Sequence, residues 1–126
     1  MSAAAHAQSN YGHSARSLRT PRDTEYELLA RITGRLQANL PHARGRLCPA
    51  LVEALHDNQR MWIAFATDLA HPENGFSPEL RARLFYLAEF TQHHTAQVLA
   101  GRAIANVLAE VNTAVMRGLR GHRVRP

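Results

Sequence analysis

Apolar residues along this chain recur at intervals of three and four, and no stretch alternates strictly, so the pattern predicts helices rather than strands. Leu29, Ile32 and Leu36 form the first stripe, flanked by Leu28 and Leu40. Thr20 as an N-cap, Pro21 at the first helical position and Asp23, Glu25 and Glu27 in the opening turns predict where that helix starts. Pro41 predicts that it ends near Asn39, with a loop over 41–46. From Leu47 a second stripe continues through Leu51, Leu55, Trp62, Phe65 and Leu69 on one helix face, and Pro49 confines the regular helix to a start near 48–50. Asn58 falls near this stripe, and its expected role is a polar contact in the core.

The stretch from Met61 to Leu84 specifies a corner. Pro72 and Asn74-Gly75 stop the second helix, and Ser77-Pro78-Glu79 supplies an N-cap, a first-turn proline and an acid near the positive end of a third. Leu80, Leu84, Leu87, Thr91, His94 and Val98 make the third stripe, which turns polar toward its end. Gly101 marks a break or sharp bend, after which Ile104, Leu108, Val111, Val115 and Leu119 make a fourth, with Gly118 and Gly121 expected to loosen its end. The pattern also allows one kinked helix across Gly101. The expected fold is all α, a small antiparallel bundle of three to four helices over 20–120, with a flexible N-terminal arm at 1–19 and a basic tail at 121–126.

Charge changes this picture little. Every one of the 15 basic residues counted as Lys plus Arg is arginine. Residues 1–22 and 117–126 hold seven of them and no acid, which leaves the segment between at −2 against the +5 of the whole chain. A basic groove across the body is therefore not expected, and nucleic acid is not the expected partner, although Arg-rich ends leave an RNA-level role as the alternative. Cys48 is the single cysteine, so no internal disulfide framework exists, and its apolar neighbours point to a half-buried or buried thiol. No apolar run reaches the roughly 18 residues of a membrane span, and the N-terminus lacks a signal-peptide core, so the expected compartment is the cytoplasm.

Eight histidines raise the question of a metal. Glu53-Ala54-Leu55-His56 is a Glu-x-x-His unit of the kind found in di-iron bundles, but no second copy answers it, since Gln92 stands three residues after Glu89. His93 and His94 point about 100° apart on a helix. There is no His-Glu-x-x-His, no nucleophile elbow and no Gly-rich phosphate loop, so neither a metal, a cofactor nor an enzymatic activity is expected.

The corner and the fourth helix together carry a resemblance. Met61-Trp62, followed by Asp68-Leu69-Ala70-His71-Pro72-Glu73-Asn74-Gly75-Phe76-Ser77-Pro78-Glu79-Leu80-Arg81, resembles the tryptophan helix, Asp-Leu-Ala-x-Pro-x-Asn corner and Pro-Glu-Leu-Arg helix start of the FlaF family of bacterial flagellar biosynthesis regulators. Ala109 to Leu119 is similar to its C-terminal Glu-Ile-Asn…Met-x-Gly-Leu segment, whereas Phe76-Ser77 departs from the aliphatic residue and less regular cap more usual there. The resemblance implies a non-enzymatic cytoplasmic protein needed for flagellin production or export, acting with FlbT and contacting flagellin. A chaperone-like mechanism follows, in which a groove between helices takes an amphipathic helix of flagellin. The residues expected to meet the partner are Trp62, Phe65, Asn74, Phe76, Asn112 and Met116, with Trp62 and Phe65 also readable as core and Phe76 as an exposed anchor or a loop plug.

Overall fold

The computed structural model describes residues 21–43, 47–71 and 73–124. The expected Thr20 cap, the arm at 1–19, Pro72 and the last two residues lie outside them. Four helices follow in order: α1 (Pro21–Ala43), α2 (Pro49–Leu69), α3 (Pro78–Leu99) and α4 (Asn106–Val124). Each closes on its neighbours in a ring, with α2 against α1 and α3, and α1 against α4. The α3–α4 pair approaches least closely of the four, and α2 and α4 face each other diagonally. The fold is all α, and among the described residues there is no strand.

Start signals act where the sequence places them. Cys48 has the extended backbone of an N-cap and Pro49 takes the first position of α2. Ser77 caps α3, its hydroxyl accepting from the Leu80 N–H at 3.2 Å, with Pro78 and Glu79 behind it. End signals are weaker. α1 does not stop near Asn39 but runs past Pro41 to Ala43, because a proline in the final turn removes only one backbone bond from a helix that is about to end. α4 likewise continues through Gly118 and Gly121 to Val124. The chain between α3 and α4 is a true break rather than a kink. Gly101 has φ +78°, its N–H donates to the Val98 carbonyl and the Arg102 N–H to the Gln97 carbonyl, the two bonds of a Schellman cap.

The core has two apolar ends and a polar middle. One end gathers Leu29, Ile32, Trp62, Phe65, Leu69, Phe76, Leu84, Val115 and Leu119, and the other Leu36, Leu51, Leu55, Val98 and Leu108. Burying leucines such as Leu36, Leu55, Leu69 and Leu108 completely stabilises the fold by roughly 1.5–3 kcal/mol each. Between the ends lie Asn58, Thr91, Thr95 and Asn112, all with no exposed surface. The third stripe shifts from its expected centre: Ala88 and Thr95 are buried on α3, while Leu80, Leu87 and His94 are only half-buried. Leu47 and Ile104, expected to open the second and fourth stripes, sit before their helices and are exposed.

Candidate partner interface

The helical corner is held by one asparagine. The Asn74 side-chain N–H donates to Asp68 Oδ2 at 2.9 Å, and its Oδ1 accepts from the Phe76 backbone N–H at 3.2 Å. An asparagine that bonds both before and after itself closes the turn, and Gly75 at φ +93° gives the chain its reversal. Phe76 is thereby turned inward and buried, as a plug rather than an exposed anchor. Across the corner Arg81 Nε donates to the Leu69 carbonyl at 3.1 Å, placing a cation on the negative end of α2.

Trp62 and Asn112 meet across the diagonal. The indole N–H of Trp62 donates to Asn112 Oδ1 at 2.9 Å, and Asn112 Nδ2 donates to Asn58 Oδ1 at 2.8 Å. These bonds tie α2 to α4 through the interior, and the Trp62 and Phe65 rings lie 5.5 Å apart beside them. Of the six residues expected to meet a partner, Trp62, Phe65, Phe76 and Asn112 are therefore buried, and contact with a partner requires the bundle to open around them. Asn74 and Met116 reach the surface in part. Met116 packs against the first apolar cluster, and at about 100° per residue it lies on the same flank of α4 as Arg120, which reaches Tyr26 of α1.

The loosest packing between neighbouring helices lies on the other side, between α3 and α4. Gln92 and Arg81 bond to the α2 backbone and so mark one flank of α3; Leu87, Phe90 and His94 fall on the opposite flank. The Phe90 and His94 rings stack with centroids 5.3 Å apart, and His94 Nε2 lies 2.9 Å from the Ile104 carbonyl, which can only accept, so this nitrogen carries the proton. On α4 the flank away from Arg120 carries Val107, Val111 and Ala114. All of these except Ala114, which is exposed, are half-buried, and Ile104 at the head of the seam is 59% exposed. The α3–α4 seam is thus an apolar strip that the bundle only partly closes. Sequence reasoning passed over Phe90 although its signal was present: it stands three residues after Leu87 and four before His94, both members of the third stripe.

A second recess on the outer side of α2 is lined by Cys48, Val52, Glu53, His56, Asp57 and Arg60. Arg35 and Arg60 both bond Asp57 there, and the Arg35 hydrogen bond is the main reason its carboxyl sits below the usual carboxylate value. Among the described residues no three of the metal-ligating side chains converge, and no helix is long and apolar enough to cross a membrane. The recess offers charges already paired with one another; the seam offers half-buried apolar side chains. The family model described as "Flagellar protein FlaF" matches residues 7–119. No curated protein and no solved structure matches the chain.

Proposed function

Because the chain belongs to the FlaF family of flagellar proteins, we propose that it serves flagellum biogenesis as a non-enzymatic, chaperone-like partner of flagellin in the cytoplasm, covering an amphipathic helix of the monomer and promoting its synthesis or secretion. The α3–α4 seam is the observation that supports this reading. A flagellin helix laid against Leu87, Phe90, Val107 and Val111 would bury apolar surface on both partners in the helix-in-groove mode, with contacts every three or four residues. Binding of this kind must offset the ordering of the partner segment, so a continuous apolar strip matters more than any one contact.

Titration of the purified chain with monomeric flagellin, at about 50 and 500 mM salt, tests the reading through the weak salt dependence expected of apolar contact. An Ala114→Arg variant sets a charge on the exposed lip of the seam and should weaken binding at least about tenfold, roughly 1.4 kcal/mol, with helicity unchanged. Unaltered affinity in that variant would remove the seam from the account. Binding that collapses at high salt would instead favour the Arg-rich ends and an RNA-level or FlbT-dependent role.

A further inference from the structure

The polar layer in the middle of the core is directional. Trp62 has an N–H and no acceptor, so the Asn112 atom that faces it must be the carbonyl oxygen, and the Asn112 amide must donate onward. Asn58 therefore receives that bond on its own Oδ1 and is left with Nδ2 pointing to the far side, where it has no protein partner. Exchanging the two ends of either amide would break a bond already made. The orientation of Asn58 is thus fixed from Trp62 through two successive hydrogen bonds by way of Asn112, and a donor must find an acceptor.

Thr91 stands where that acceptor is needed. Gln92 Nε2 bonds the Gln59 carbonyl and Arg81 Nε the Leu69 carbonyl, so α2 and α3 run antiparallel, and Asn58 and Thr91 lie one residue to either side of the Gln59–Gln92 level. Both are fully buried. Thr33, Thr67, Thr95 and Thr113 all turn their hydroxyls back onto the carbonyl four residues earlier, whereas Thr91 Oγ1 makes no bond at all. Leaving both groups dry would forfeit the hydrogen bonds that each makes to water in the unfolded chain. Two unpaired polar atoms on facing helices, out of bonding range of each other and sealed from solvent, have the character of a buried-water site, since such waters bridge otherwise unsatisfied groups with two to four bonds.

We propose that the bundle binds one specific internal water molecule between Asn58 Nδ2 on α2 and Thr91 Oγ1 on α3, and that this water completes a hydrogen-bond layer running from α4 through α2 to α3. The layer joins three helices at one level and penalises any sliding of one against another, because a shift by a single turn would set these polar groups against leucine. The site is independent of what the protein binds.

Oxygen-17 relaxation dispersion counts long-lived internal waters without interference from hydroxyl protons. The wild-type amplitude should fall by the contribution of one water in Thr91→Val and return in Thr91→Ser, with circular dichroism showing all three folded. A high-resolution crystal structure of the wild-type chain should place that water within about 3.2 Å of both atoms. Equal amplitudes in wild type and a folded Thr91→Val, or a crystal structure in which Asn58 Nδ2 bonds Thr91 Oγ1 directly, would overturn the proposal.

Discussion

Replacing Asn112 by leucine leaves the Trp62 N–H and Asn58 Oδ1 facing an apolar side chain, two buried polar groups stripped of the partners they have in the native core. The expected loss is about 2–6 kcal/mol in urea unfolding, from roughly 1–3 kcal/mol for each orphaned group. Replacing Asn58 as well removes one of the orphans, so the double variant Asn58→Leu, Asn112→Leu should be more stable than Asn112→Leu alone; strictly additive losses would show that the two amides do not act as a unit. Asp57 makes the opposite kind of prediction, at the surface and through pH. The Arg35 hydrogen bond, aided by Arg60 and opposed by partial burial, lowers its carboxyl from an ordinary 3.8. A carboxyl depressed in the folded state contributes stability that is complete above its unfolded value and is lost as pH falls through the folded one. Asp57→Asn should therefore cost about 0.5–1 kcal/mol at neutral pH, with the difference fading in acid below 3.8. A gap that stays constant across that range would mean the ion pairs contribute nothing.

Glycines in the last two helical segments separate backbone geometry from helix propensity. Gly101→Ala must place a side chain at φ +78°, with open space around it, so its expected cost of about 1–2 kcal/mol comes from the backbone alone. Gly118→Ala lies inside α4, also in open space, and should stabilise by about 0.4–1 kcal/mol; thermal unfolding of the pair should move the midpoint in opposite directions. Shifts of the same sign would contradict the Schellman cap. Helix starts were legible in the sequence because a cap is a local device: Ser77, Pro78 and Glu79 act within one turn. The ends of α2 and α3 were legible too, at Asn74-Gly75 and Gly101, whereas those of α1 and α4 were not, because Pro41 and Gly121 cost little in a final turn while Leu119 still draws α4 onto the core. The centre of α3 was misplaced for a related reason. Ala88 and Thr95 carry little apolar signal, yet a small side chain suits the close approach of α2 and α3, whereas the bulkier Leu87 is left on the flank.

At the scale of the whole molecule the fold class followed from periodicity, and the family from the corner and the fourth helix, but the surface available to a partner did not. Trp62, Phe65, Phe76 and Asn112 stand out in the sequence because the interior needs them, and a residue's prominence in a pattern does not tell which side of a closed bundle it faces. The half-buried seam reflects the loose packing of α3 on α4, which no single helix's pattern specifies. Membership of the FlaF family makes the chain a flagellar protein, and the half-buried seam is the surface that the proposed flagellin binding would use. The most direct test is co-expression with the flagellin of its own organism, followed by size-exclusion chromatography with light scattering at low and high salt. The account predicts a stoichiometric complex that persists at high salt and is lost in Ala114→Arg; separate elution of two folded, soluble proteins at both salt concentrations would contradict it.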